Sequence, residues 1–261
     1  MKVKIIVCGA RGRMGREVIS LIQAEEDWEL VGAIESPDHP EIGKEIRSGL
    51  KITPSLEEVI DKDRIVIEFT TPEATIEHLK IAKQNKSGMV IGTTGFKDFQ
   101  LKEIEEAAQS IPILLSPNMS LGINLFFALV KEIARILKDF DKEVIEMHHR
   151  LKQDAPSGTA LKIAEILAEV ESKELSQIAV YGRKGLTGKR KQEEIGIHSL
   201  RGGTVVGEHT VIFAGENERL QITHIAESRR IFARGALAGA KFIARKNKGL
   251  YDLQDVLGIK R

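Results

Sequence analysis

The chain is poor in the features that mark several large protein classes. It carries one cysteine, Cys8, so no intrachain disulfide can form, which fits a reducing compartment and predicts a cytoplasmic protein. No apolar run approaches the length of a membrane span. The apolar stretch at residues 5–8 is too short for the core of a signal peptide and runs straight into glycines. There is no internal repeat and no low-complexity tract. Charge of either sign is nearly absent in net terms: 39 basic and 38 acidic residues leave +1, which gives no reason to expect a nucleic-acid partner. No H-E-x-x-H and no cysteine pair is present, and His198, His209 and His224 are scattered. No metal site is therefore expected, and each of these histidines reads as structural or superficial. The lack of a G-x-S-x-G elbow argues against a Ser-His-Asp hydrolase. What remains is a soluble globular chain, 42% hydrophobic and 30% charged, long enough at 261 residues for one large domain or two modest ones.

The first half alternates short β-rich runs with helical patterns. Strands are expected at 3–8, 30–34, 65–69, 89–91 and 113–115. Helices are expected at 13–25, from Ser55 through Val59, at 72–83 and at 99–108. Such alternation predicts a Rossmann-like, doubly wound parallel sheet with helices on both faces. After about residue 120 the pattern changes. Helices at 124–137 and 158–170 and a strand at 144–147 give way to strand-like runs at 178–181, 195–200, 205–213 and 220–226. Close succession of strands predicts a second α+β domain with an open mixed sheet. A closing helix at 231–245 is expected to return to the first domain, with hinges near 120–123 and 227–229.

Gly9, Ala10, Arg11, Gly12, Arg13, Met14 and Gly15 follow the first strand and open the first helix. The spacing is a variant of the dinucleotide fingerprint. Its early glycines permit a tight turn and close approach of backbone N–H groups to a pyrophosphate, and its last glycine permits close helix–strand packing. The helix N-terminus adds partial positive charge. Glu35 ends the second strand about 20 residues on, where an acid can bind ribose hydroxyls. Thr70-Thr71-Pro72 and Gly92-Thr93-Thr94-Gly95 also follow strands, at the carboxyl ends where doubly wound sheets bind ligands. Residues 182–191, GRKGLTGKRK, imitate a phosphate loop. Their glycine spacing is one residue too long, and Arg190 replaces the required Ser or Thr. They read instead as a mobile basic loop over a substrate.

The densest chemical signal is Glu146-Met147-His148-His149-Arg150-Leu151-Lys152 at a strand end. Burying several cations together is costly, and an anionic ligand relieves that cost. On a continued strand His148 and Lys152 would lie roughly 13 Å apart, so the chain must bend there or the roles must be split. Asp154-Ala155-Pro156-Ser157-Gly158-Thr159 comes next. Ser157 is placed to cap a helix whose first residues, Gly158 and Thr159, can hold a carboxylate.

Taken together, GARGRMG, GTTG, SPNMSLGIN, EMHHRLKQDAPSGTAL, GRKGLTGKRK, RGGTVVGEHTVIF and THIAESRRIFARGA resemble the dihydrodipicolinate reductase family, also called the 4-hydroxy-tetrahydrodipicolinate reductases. The resemblance runs from residue 3 to about residue 245. It implies a dinucleotide-binding domain at 1–119 and 229–261, interrupted by a substrate-binding and oligomerisation domain at 120–228. It also implies a homotetramer built through the second domain's sheet. Gly9, Ala10, Arg11, Gly12, Arg13, Met14, Glu35, Gly92, Thr93, Thr94, Ser116, Pro117, Asn118 and Met119 would contact NADH or NADPH. His148 and Lys152 match the family's catalytic positions, with Lys152 the proton donor. His149, Gly158 and Thr159 match its substrate-binding positions. The implied reaction reduces a small cyclic dicarboxylate on the diaminopimelate route to lysine.

Ser36 departs from the family pattern, in which an arginine often follows the acid. Glu35 and Asp38 repel a 2′-phosphate and no neighbouring residue in the sequence offsets them, so NADH is expected to serve at least as well as NADPH. Ser116 and Met119 also differ in type from many relatives, which main-chain contacts would survive. Two other readings stay open: an amino-acid or semialdehyde dehydrogenase on the same framework, and a dinucleotide sensor without catalysis.

Overall fold

The computed structural model describes residues 2–47 and 49–259. The chain divides into two compact units, Met1–Leu121 with Arg229–Arg261, and Gly122–Ser228. Among the described residues no helix is long and apolar enough to cross a membrane.

The first unit is built on a six-stranded sheet in which every pairing is parallel. Its strands are β1 (Val3–Cys8), β2 (Trp28–Ile34), β5 (Arg64–Glu68), β6 (Gly88–Ile91), β7 (Pro112–Leu115) and β13 (Gly249–Tyr251), in the order β13-β7-β6-β5-β1-β2. Between β2 and β5 a small hairpin intervenes, β3 (Glu45–Arg47) with β4 (Leu50–Lys51). The strands are nearly continuous apolar runs because both faces are covered. Ile5, Val7, Ile67, Val90 and Leu114 point to one side. There they meet α1 (Arg13–Ala24) through Val18, Leu21 and Ile22, and α7 (Arg230–Ile243) through Ala236 and Leu237. Ile6, Cys8, Val66, Met89, Ile91 and Ile113 point to the other. They meet Ile76 and Leu79 of α2 (Pro72–Gln84) and Ile104 of α3 (Asp98–Ala108). Each such large aliphatic side chain contributes about 2 kcal/mol on burial. The sequence order reverses between β1 and β5, so the loops after these strands flank the switch point where such sheets bind ligands.

Three short features escape the sequence pattern. The helix expected from Ser55 is a single turn in which the N–H groups of Val59 and Ile60 both donate to Leu56 O. The Ser55 hydroxyl donates to Glu57 at 2.9 Å instead of capping, and so short a segment cannot propagate. Strand β13 has three residues, and α8 (Leu253–Val256) has four; neither is long enough to show a period.

The second unit carries a five-stranded mixed sheet in the order β12-β11-β8-β10-β9. The strands are β8 (Asp141–His148), β9 (Ala179–Tyr181), β10 (Ile195–Arg201), β11 (Gly207–Ala214) and β12 (Arg219–Ala226). The β8–β10 and β10–β9 pairings are parallel; β11 is antiparallel to both of its neighbours. A single turn of helix, α6 (Leu175–Ile178), precedes β9, so the strand expected from 178 begins one residue later. Helices α4 (Leu121–Ile136) and α5 (Gly158–Val170) pack on Val144, Ile195, Ile197, Val211 and Phe213. Burial alternates strictly along β8. Lys142, Val144, Glu146 and His148 lie buried, while the residues between them are half-exposed. The buried row of β8 therefore passes from apolar core to polar site within two pleats.

Candidate active site

In the first unit the polar groups gather at the end of β1. Gly9 has φ +76°, and a Cβ there would sit 2.5 Å from Phe69 O. A Cβ on Gly15 would sit 2.1 Å from Gly9 O, so α1 packs directly on the turn. The N–H groups of Gly9 and Ala10 both donate to Ile34 O at 3.0 Å. The Glu35 carboxylate accepts from the Arg11 N–H at 2.8 Å and the Ser36 N–H at 3.0 Å. A close backbone turn that side chains would fill, at the positive end of a helix, is what a pyrophosphate requires, and these residues fit a dinucleotide.

Threonines tie the neighbouring strand ends together. Thr70 N–H donates to Thr93 Oγ1 at 3.2 Å, and the Thr75 hydroxyl lies 3.0 Å from the same oxygen. Thr71 caps α2 by accepting from Ala74 N–H, with Pro72 in the first turn. Thr93 is buried, whereas Thr94 is exposed. Ser116 Oγ donates to Asn118 O at 2.8 Å, and Ser120 N–H donates to Asn118 Oδ1 at 2.9 Å. Ser116 and Met119 are thereby buried and Pro117 is left exposed. Beneath these loops the fully buried Glu68 accepts from the Thr70 hydroxyl and pairs with His78 Nδ1 at 2.8 Å. Burial disfavours the His78 cation, but Glu68 outweighs that and raises its pKa. Ligating atoms of Cys8, Glu68 and His78 lie within 4.8 Å of one another, a grouping of metal-ligand types that the scattered sequence positions conceal.

Two arginines pair with Glu41 in the loop that follows Glu35, where the sequence after Glu35 itself offers no adjacent cation. Arg11 pairs with Glu41 at 2.7 Å, and Arg16 lies 3.8 Å from the same carboxylate. The expectation considered only the residues following Glu35 in sequence, whereas these cations arrive from the glycine loop and α1.

In the second unit the site is made by side chains. Glu146 is fully buried and collects donors from His148, Arg201 and Ser157. His148 Nδ1 lies at 2.5 Å, Arg201 donates from both terminal nitrogens at 2.9 Å, and Ser157 N–H donates at 3.2 Å. Strand register explains the convergence. Arg201 on β10 stands beside His148, and His209 on β11 stands opposite Glu146. Arg201 also donates to Asp154 O at 2.7 Å, which anchors the turn before α5. Ser157 caps α5 by accepting from Ala160 N–H, and its hydroxyl is hydrogen-bonded to His209 Nε2 at 3.1 Å. The His148 and His209 rings meet edge to face at 5.2 Å.

Burial outweighs Glu146 and lowers the His148 pKa; the lysine and arginine charges act in the same direction. For Glu146 the hydrogen bonds from Arg201 and His148 overcome burial and lower its pKa. The pair is therefore a carboxylate with a neutral imidazole that carries its proton on Nδ1, leaving Nε2 an acceptor. Burial, aided by His148, pushes His209 down to about 3. His209 is thus a buried neutral histidine, structural as expected, that packs against His148 and bonds the cap of α5. His198, bonded to Glu143, and His224, edge-on to Phe126, lie elsewhere in the unit.

Strand β8 ends at His148, and Lys152 N–H donates to His149 O in a turn, so the chain bends where an extended strand would have separated the cations. Lys152 Nζ lies 2.8 Å from Asp154 Oδ1. Gly158 and Thr159 occupy the first turn of α5. The basic loop is less free than its composition suggests. Arg183 donates to both Glu143 oxygens at 3.0 Å, and Arg190 donates to Glu143 and Asp141. These bonds hold the Glu143 pKa down at about 2, against its burial.

The family model for the N-terminus of dihydrodipicolinate reductase matches residues 3–119, and that for its C-terminus matches residues 122–257. The chain belongs to the dihydrodipicolinate reductase family. Among curated relatives, the 4-hydroxy-tetrahydrodipicolinate reductase of Aquifex aeolicus is 48% identical over 99% of this chain and 100% of its own length. That of Syntrophus aciditrophicus is 46% identical over 99% of both chains. A solved structure, the dipicolinate-bound dihydrodipicolinate reductase from Paenisporosarcina sp. TG-14, is 27% identical with a TM-score of 0.80, covering 98% of this chain and 99% of that one. An amine dehydrogenase from Mycobacterium smegmatis, at 10% identity and TM-score 0.60, shares the fold alone. The family motif holds Glu146, His148 and Lys152 in one run of sequence. It gives no local hint of Arg201 or His209, whose partners lie 55 and 52 residues away.

Proposed function

We propose that this protein reduces 4-hydroxy-tetrahydrodipicolinate to tetrahydrodipicolinate on the diaminopimelate route to lysine, with NADH or NADPH as reductant and the 4-hydroxyl leaving as water. The observation that carries the reading is the Glu146–His148–Lys152 cluster beside the N-terminus of α5, in a chain whose relatives bear that enzyme's name. In this reading the first unit binds the dinucleotide. Gly9, Ala10, Arg11, Gly12, Arg13 and Met14 take its pyrophosphate and Glu35 a ribose. Gly92, Thr93, Thr94, Ser116, Pro117, Asn118 and Met119 line the nicotinamide end. When bound, the reduced nicotinamide supplies a hydride.

The second unit holds the substrate. His149, Gly158 and Thr159 receive its carboxylates, helped by the positive end of α5. The geometry supports splitting the roles of the two catalytic residues. His148, neutral and oriented by Glu146, accepts a hydrogen bond. Lys152, steadied by Asp154, is the ammonium that gives up the proton. The exposed Tyr181, Leu200, Leu220 and Ile225 support assembly into a homotetramer through this unit, which sedimentation reads directly; a monomer removes that part.

The test is a coupled assay in which a synthase condenses pyruvate with aspartate semialdehyde while NADH and then NADPH oxidation is followed. Oxidation is expected to require both the synthase product and this protein. Lys152→Ala is expected to lower turnover about 100-fold or more while NADH affinity stays within about two-fold. Equal loss of both counts against a role in chemistry. NADH binding without any oxidation favours a dinucleotide sensor.

A further inference from the structure

The corner beside Glu35 holds more charge than recognition of a ribose hydroxyl needs. Glu35 is already occupied by two backbone N–H groups. Beside it Arg11 is held by Glu41 at 2.7 Å, with its side chain only 20% exposed. Its Nε is buried and has no hydrogen-bond partner among the described residues. The guanidinium therefore has an unused donor and is engaged from one side. Arg16 leans on the same corner. Its Nε donates to Arg11 O at 3.0 Å, and its terminal nitrogen lies 3.8 Å from Glu41.

Glu41 is not there by side-chain chance. The loop that carries it is a chain of turns: His39 N–H donates to Ser36 O, Ile42 N–H to His39 O, and Lys44 N–H to Glu41 O. The Glu41 N–H itself donates to His39 Nδ1 at 3.2 Å. Its carboxylate is thus presented to Arg11 by a braced backbone.

NADPH differs from NADH only by a phosphate on the adenosine ribose 2′ oxygen, the group that the acid ending β2 would otherwise meet. A phosphate there is repelled by Glu35 and needs a planar, bidentate cation. We propose that Glu41 sets the coenzyme preference: by holding Arg11 it withdraws the cation that a ribose 2′-phosphate requires. This inference rests on the dinucleotide reading above and adds its selectivity. NADH leaves the Arg11–Glu41 pair intact. NADPH must compete with a fixed carboxylate for the same fork.

The experiment measures binding of NAD+, NADP+ and 2′,5′-ADP to the full chain in wild type, E41Q and the double variant R11Q/E41Q. Glutamine keeps the size of Glu41 and removes its charge. E41Q is expected to raise the affinity ratio of NADP+ to NAD+ about ten-fold, and to tighten 2′,5′-ADP in parallel. The double variant is expected to return the ratio to within about two-fold of wild type. A ratio that E41Q leaves unmoved overturns the proposal, as does a gain that survives loss of Arg11. Thermal unfolding of each variant reports that the corner is folded. Wild-type protein that binds none of the three overturns the dinucleotide reading itself and this inference with it.

Discussion

At the end of β1 the contacts are made by the main chain. Gly9 and Ala10 N–H groups close the turn on Ile34 O, and Arg11 and Ser36 N–H groups hold Glu35. At the end of β8 they are made mostly by side chains, His148 of β8 and Arg201 of β10, which converge on Glu146 with the N–H of the α5 cap. The first arrangement needs small residues at fixed spacing. The second needs particular functional groups that strand register brings together from distant sequence. A main-chain site tolerates changes of side chain but not added volume. A side-chain site tolerates little change of charge.

The sharpest test of that contrast is Glu146→Ala. It leaves Arg201 facing an empty place in a buried site, and loss of one member of a buried pair costs about 4 kcal/mol. Denaturant unfolding should show that loss, whereas Glu146→Gln should recover part of it. An Ala variant as stable as wild type would show that the network is dispensable. The matching change in the first unit is Gly15→Ala, which adds one methyl 2.1 Å from Gly9 O. The backbone must shift, at a cost of about 2–3 kcal/mol despite alanine's better helix propensity. An unchanged or raised stability would mean that the turn is not packed as described.

The effect smallest at neutral pH, and visible only on acidification, is in pH dependence. His209 is neutral in the folded protein down to about 3, because burial lowers its pKa, while in the unfolded chain it takes up a proton near its ordinary value of 6.5. Below 6.5 the unfolded state therefore binds more protons, and stability falls with falling pH until about 3. One such group contributes at most about 1.4 kcal/mol per pH unit. His209→Gln should flatten the decline over that window; an unchanged slope would remove His209 as its source.

The same contrast explains what could be read from the sequence. The doubly wound sheet was legible because buried parallel strands are apolar throughout and helices repeat with their own period. The glycine loop was legible because backbone geometry dictates residue type locally. The bend after His148 and the start of α5 at Gly158 and Thr159 were legible because both lie in one continuous motif. Arg201, His209 and Glu41 were not. Each meets its partner only in the tertiary structure, and an isolated Arg, His or Glu reads as solvated surface. Strand β13 was missed for lack of length, and the helix expected from Ser55 is too short to form more than a turn.

Cys8 has a practical consequence. It is the chain's single thiol, it lies fully buried in the sheet of the first unit, and burial together with Glu68 raises its pKa well above the ordinary value. A folded molecule gives an alkylating reagent almost no thiolate to attack. The rate of labelling is then a clock for the opening of that one sheet, free of signal from the other unit, and it can be read without engineering a probe into the protein.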